Sequence, residues 1–178
     1  MLEPIRRVVT GHTASGRSMV LFDSSVRPTQ DVPTDACLWV TDQTPASNRG
    51  RVDASDRPVK LEPPVQGSIF RFVEFPPAAA FANLSAEEVE RIMAGLFQQL
   101  GASHARIDTT RGPGMHRTRT LDYIVLLKGE ITLMLDEGDV DLKPFDVVVQ
   151  RGTNHGWVNR GSTPALLAIA MIDAEPIS

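Results

Sequence analysis

Apolar residues in this chain fall in short runs, rich in β-branched and aromatic side chains and separated by Gly, Pro, Asp and Asn. Runs punctuated in this way predict the strands of a sandwich or barrel. The pattern places strands near Ile5–Thr10, Arg17–Phe22, Cys37–Thr41, Ile69–Phe75, Ser103–Asp108, Leu121–Leu135, Asp139–Gln150, Gly156–Asn159 and Ala165–Ile172. Leu121–Leu135 is too long for one straight strand. Lys128-Gly129-Glu130 within it predicts a bend, since an interior strand glycine often marks a kink or bulge. Asp136-Glu137-Gly138-Asp139 reads as a hairpin turn with Gly138 at positive φ. Arg151-Gly152-Thr153-Asn154 is a second polar break.

One segment has helical period. Ser85-Ala86-Glu87-Glu88 forms a capping box, and Val89, Ile92, Met93, Leu96, Phe97 and Leu100 then recur at helical spacing. Gly101 is the expected residue just past its end. That stripe is expected to dock on the sheet. Between Gln43 and Gly67 the chain is polar, with prolines at 45, 58, 63 and 64, and reads as a long surface loop that could reach a barrel mouth. No repeat is visible at a period of 20–50 residues.

Composition narrows the class. The chain has 178 residues, a formal charge of −4 and 42% hydrophobic residues. These values describe a globular protein, and mild acidity argues against a general nucleic-acid binder. No apolar run approaches a membrane span, and the N-terminal stretch has no apolar core of a secretion signal, so a cytoplasmic location is expected. Cys37 is the single cysteine; its apolar neighbours in ACLWV mark a small buried hydrophobe rather than a reactive thiol.

Chemistry concentrates near the C-terminus. In an extended GMHRTRTLDY segment, alternation puts His116, Thr118, Thr120 and Asp122 on one face. His155 follows in the QRGTNHGWVN segment, straight after a glycine-containing turn. Two imidazoles and a carboxylate on a β scaffold are the makings of a facial metal site with open positions, suited to Fe(II), Mn, Zn, Ni or Co.

These motifs resemble the cupin superfamily. In its first motif (His, any residue, His, three or four residues, Glu, six residues, Gly), His116, Asp122 and Gly129 fall in register. In its second, Gly152, His155 and Asn159 match, and Asp146 fits the Gly-Asp pair that usually opens the segment. Four positions depart: Thr118 replaces the second histidine, Asp122 the glutamate, Phe145 the first glycine of the second motif, and Gln150 the usual proline. The segment is similar to a subgroup of small bacterial cupins with a His-Arg-Thr, an Asp-Tyr and an Arg-Gly-Thr-Asn-His run.

The resemblance implies an all-β cupin barrel (a jelly roll, or double-stranded β-helix) with one external helix. It implies a single domain over residues 1–178, with the metal-site motifs in 112–172 and extra strands plus the long loop in 1–80. It further implies one divalent ion (Fe, Zn, Mn or Ni) held by at most three protein ligands, His116, Asp122 and His155, and a homodimer. Asp is a methylene shorter than Glu, so the ion sits closer to the strand or Asp122 binds through water. Asp122 and Thr118 are the candidate catalytic residues.

Trp157 shares strand parity with His155 and, with Gln150, is a candidate for substrate binding. Arg71 and Arg106 alternate with apolar residues; an inward arginine would clamp a substrate carboxylate, although an outward orientation is expected. His104 and His12 carry no motif. The expected function is a metal-dependent enzyme acting on a small oxygen-rich or carboxylated molecule, with decarboxylation, lyase or isomerase chemistry and dioxygenation all compatible. The alternative is a non-catalytic small-molecule-binding or sensor cupin. Neither a nucleic acid nor a membrane is an expected partner.

Overall fold

The computed structural model describes residues 2–176. Its elements are β1 (Ile5–His12), β2 (Ser18–Val26), β3 (Asp35–Thr41), β4 (Ser68–Phe75), α1 (Ala86–Gln99), β5 (Thr120–Lys128), β6 (Ile131–Leu135), β7 (Gly138–Leu142), β8 (Val147–Arg151), β9 (His155–Val158) and β10 (Ala165–Asp173). The strands form a five-stranded sheet in the order β3-β4-β10-β5-β8, a three-stranded sheet β7-β6-β9 and the hairpin β1-β2. All pairings are antiparallel.

Alternation decides which faces are buried. Along β5 and β10, buried residues alternate with partly buried or exposed ones, so Ile124, Leu126, Leu167, Ile169 and Met171 point inward. There they meet Ile131 and Leu133 of β6 and Leu142 of β7, forming one core between the two larger sheets. Removing such side chains from water is the main favourable contribution to folding, about 25 cal/mol per Å² of apolar surface.

Two long runs are broken where the chain changes sheets. The bend expected at Gly129 carries the chain from β5 to β6; Gly129 has φ +79°, and a Cβ there would lie 2.7 Å from the Pro164 carbonyl oxygen. Asp139–Gln150, expected as one strand, is two: β7 and β8 lie in different sheets. Pro144 has no N–H to give a ladder, and a turn closed by Asp146 N–H on the Lys143 carbonyl (3.0 Å) separates them. The β6–β7 hairpin turns through Asp136-Glu137, with Gly138 at φ +117°.

The helix has the expected ends. Ser85 Oγ accepts the Glu88 N–H, and the Glu88 carboxylate accepts the Ser85 N–H. At the other end Gly101 has φ +67°; its N–H donates to the Gln98 carbonyl and that of Ala102 to Phe97, a Schellman cap. Its apolar stripe, however, does not lie on a sheet. Phe97 and Leu100 pack against Val32, Ala102, Ala105, Val59 and Leu61, while Ile92 is 45% exposed. The strand expected over Ser103–Asp108 is instead a 3-10 turn, Ser103–Ala105, followed by irregular chain. Ala102 and Ala105, three residues apart, both turn under Phe97, a spacing a strand would not allow.

The segment 43–67 has no strand or helix and is fixed from both sides. Arg7 of β1 pairs with Asp53 and donates to the Leu38 carbonyl. Arg71 of β4, expected to face outward, points inward with 2% exposure. It pairs with Asp35 at 2.7 Å and donates to the Lys60 and Leu61 carbonyls. Burial pushes the Asp35 carboxyl up from its ordinary value, against the pull of Arg71. A buried guanidinium that loses its counter-ion is costly, so Asp35→Ala is expected to destabilise the fold by about 3–5 kcal/mol. The apolar pair Asp35→Leu with Arg71→Met should recover most of that loss in chemical denaturation.

Candidate functional site

A cavity of about 890 Å³ opens between α1 and the barrel. Its walls are mostly apolar, with Val73, Phe75, Met93, Leu96, Ile124 and Trp157 among them. His116, Asp122, His155 and Arg71 also line it. The helix stripe therefore serves as a cavity wall, while the 43–67 loop contributes Leu61.

The two histidines are placed by the backbone. His116 N–H donates to the His155 carbonyl (2.8 Å) and His155 N–H to the His116 carbonyl (2.9 Å), so the segment before β5 and the start of β9 hold both side chains together. Their ring centroids are 4.3 Å apart. Each ring is oriented by its Nδ1. That of His116 donates to the Gly114 carbonyl at 2.9 Å, and that of His155 to the Thr153 carbonyl at 3.0 Å. This choice of tautomer leaves both Nε2 lone pairs free. Phe97 of α1 rests on the His116 ring at 5.0 Å, and Trp157 meets His155 edge-on at 6.0 Å.

Asp122 sits inside β5, where alternation turns it to the core face beside Thr120. Its Oδ1 has no hydrogen-bond partner. Burial pushes the carboxyl up to about 6, opposed by a Thr120 hydrogen bond and the charge of Arg71. Burial also drives His155 down to about 3, with His116 adding repulsion, and lowers His116. Burial therefore disfavours the charged forms of Asp122, His116 and His155.

Other candidates lie elsewhere. Thr118 is buried with its hydroxyl on Thr120 at 2.7 Å and does not border the cavity. Gln150, expected at the substrate, sits behind His155: its amide donates to Thr153 and lies 3.0 Å from His155 Nδ1. Arg106, also a substrate candidate, instead pairs with Glu90 at 2.8 Å, donates to the Pro113 carbonyl and stacks on Phe97. It thereby ties α1 to the approach to His116. Arg71 does reach the cavity wall, but Asp35 and two carbonyls already occupy its Nη atoms. His104 pairs with Glu62, and Asn159 ties its turn through the Phe75 and Thr163 carbonyls. Sequence reasoning misses the contribution of α1; the only signal for it is that the stripe contains Met93 and Phe97, large enough to wall a cavity.

For a divalent ion, the donor chemistry fits: two imidazoles with free Nε2 atoms and one carboxylate oxygen lacking a partner. The arrangement fits only in part. Among the described residues, no three His, Cys, Asp or Glu side chains are gathered as a metal-holding group. His116 and His155 are a pair; Asp122 borders the same cavity without joining them.

Two antiparallel sheets enclose the core, and the histidine pair borders a largely apolar cavity. Residues 104–172 match the cupin domain family. It is similar to the phomopsin biosynthesis cluster protein C′ of Diaporthe leptostromiformis, 48% identical over 82 residues, or 43% of each chain. The match thus spans less than half of that relative. It is also similar to the cupin-domain-containing oxidoreductase virC of Hypocrea virens, 26% identical over 96% of this chain and 77% of that one. Among solved structures, a predicted oxalate decarboxylase from Thermotoga maritima aligns over 58% of this chain and 64% of its own, with 18% identity and a TM-score of 0.36. These two curated relatives are fungal, whereas the motifs resemble those of a bacterial subgroup. No helix among the described residues is long and apolar enough to cross a membrane.

The site predicts an opposed pH response. His155 has an ordinary value of 6.5 and lies near 3 when folded, so below pH 6.5 the unfolded chain takes up a proton that the folded one refuses. Its contribution to stability is lost as pH falls through that window. Asp122 is raised from 3.8 to about 6, so its contribution is present at low pH and lost as pH rises through 6. The two effects partly cancel between pH 4 and 6. Asp122→Asn removes one of them, and metal-free protein should then lose stability more steeply on acidification, by a few kcal/mol between pH 6.5 and 4. Thermal melts across that range measure the difference; equal slopes would refute the assignment.

Proposed function

We propose that this protein is a metal-dependent cupin enzyme acting on a small molecule with a largely apolar body and an oxygen function, seated between α1 and the barrel. The observation that carries the reading is the pair of imidazoles, each fixed through Nδ1 with Nε2 free, on the floor of an apolar cavity beside an unpartnered carboxylate oxygen. The volume is within the range of drug-sized ligand pockets, and apolar walls with a few polar groups are their usual construction. That lining favours an apolar substrate over an oxygen-rich one. The name of the virC relative favours oxidoreduction among the compatible reactions.

His116 and His155 would hold a divalent ion, which would supply Lewis-acid or redox chemistry when bound. Asp122 is the proton-handling group. A carboxyl near 6 is half-ionised close to neutral pH, so it can accept or return a proton in the apolar site. Thr120 orients it, and Phe97 and Trp157 exclude water from the rings. Gln150 steadies the His155 segment. The working unit is a homodimer.

A second reading is a binding module without metal, favoured by the separation of Asp122 from the histidine pair. Elemental analysis of wild type, His155→Ala and Asp122→Asn tests the two readings. Growth medium supplemented with Fe, Mn, Ni and Zn should give near-stoichiometric metal in wild type. His155→Ala, still folded by circular dichroism, should lose at least about 10-fold, the scale of losing an interaction essential to the site. Asp122→Asn should keep most of it. Metal-free wild type would overturn the metal reading in favour of the binding module, and full retention in His155→Ala would overturn the ligand assignment.

A further inference from the structure

One wall of the cavity is a row of rings. Phe75, Trp157, His155, His116 and Phe97 follow one another with centroids 6.3, 6.0, 4.3 and 5.0 Å apart, and all five border the cavity. Successive planes are turned by 47°, 86°, 45° and 59°. No two neighbours stack flat, so the wall offers ring faces and ring edges in turn. Phe75 ends β4, His155 and Trp157 belong to β9, His116 precedes β5, and Phe97 lies on α1. The row is therefore assembled by the fold from distant parts of the chain.

Sulfur gathers on the same cavity. Four of the chain's six methionines border it. Met93 comes from α1, Met115 from the segment before β5, Met134 from β6 and Met171 from β10. Thioethers favour the edges of aromatic rings at about 5 Å, and their unbranched side chains adapt to a rigid outline. Aromatic faces are negative and their edges positive, so a flat ring gains from such a wall what a saturated body of equal size does not. Aliphatic side chains also border the cavity, but they do not discriminate between the two.

We propose that the guest of this cavity is a planar aromatic compound, its ring laid against the row from Phe75 to Phe97 and its oxygen turned to the histidine pair and Asp122. A fused two-ring body is well within the cavity's 890 Å³. The proposal rests on the reading of this cavity as a small-molecule site and is independent of bound metal.

A matched pair of probes separates ring character from apolar bulk. Naphthol and its fully hydrogenated counterpart, decahydronaphthol, share one carbon skeleton and one hydroxyl, and only the first is planar. Apolar burial alone favours the saturated alcohol, whose hydrocarbon surface is larger. Calorimetry on the metal-free full chain should nevertheless show naphthol bound at least about 10-fold more tightly, the scale of two aromatic contacts beyond their buried area. Methionine-methyl NMR locates the guest: the ring current of bound naphthol should move Met93, Met134 and Met171 and leave Met19 of β2, outside the cavity, in place. Phe97→Leu and Met93→Leu keep the wall apolar, and each should cut the preference about 3-fold, the scale of one ring or sulfur–ring contact. The preference is a ratio of two constants, so a partly unfolded variant cannot imitate its loss. Equal affinities, or tighter binding of decahydronaphthol, would overturn the aromatic guest and leave the apolar cavity as a binding site. An unchanged preference in both variants would overturn the seat on this wall. Binding of neither probe, or shifts confined to Met19, would overturn the guest and the small-molecule reading together.

Discussion

The buried ion pair of Arg71 and Asp35 is the constraint around which the rest is arranged. A guanidinium on the inner face of a central strand cannot be left without a counter-charge. Asp35 supplies it from β3, and the Lys60 and Leu61 carbonyls take up the remaining Nη hydrogens. One side chain thereby fixes the outermost strand of the sheet and the end of a long loop without secondary structure. Leu61, set down by that contact, then packs beneath Phe97 and borders the cavity. The charge of Arg71 also reaches Asp122 and partly offsets the cost of its burial.

The cavity depends on a second device, the reciprocal backbone hydrogen bonds between His116 and His155. They join a non-strand segment to β9, so the two imidazoles are placed by main-chain geometry rather than by their own packing. Neighbouring groups then fix how the rings lie. Phe97 comes from the helix, Trp157 from the same strand, and the Gly114 and Thr153 carbonyls select the tautomers. Arg106 contributes at a distance, holding the helix near the histidine segment through Glu90 and Phe97.

Local signals carry much of the fold. The capping box, the glycine past the helix and the bend at Gly129 are short-range devices whose meaning does not depend on distant residues. Strand parity correctly turns Asp122 inward, because period two survives any tertiary arrangement. What is not legible depends on tertiary context. Arginine is usually solvated, so Arg71 reads as outward, and its partner Asp35 lies 36 residues away. Arg106 falls in a run that reads as a strand but is not one, since Ala102 and Ala105 are short enough to follow either a strand or a turn. The helix stripe is legible as apolar, but sequence does not say whether such a stripe meets a sheet or a cavity. For the candidate site, motif spacing identifies His116, Asp122 and His155, which all border the cavity.

The ionisation of Asp122 has a thermodynamic consequence for any apolar guest. A molecule that fills the cavity replaces residual water near the carboxyl by hydrocarbon and raises the cost of its charge further. Near pH 6, where that carboxyl is close to half-ionised, association of such a guest draws a proton from solution. The observed heat of binding then includes the ionisation heat of the buffer. Affinity and acidity become linked quantities, and a guest bound in the apolar cavity reports its presence as a change in the proton balance of the medium.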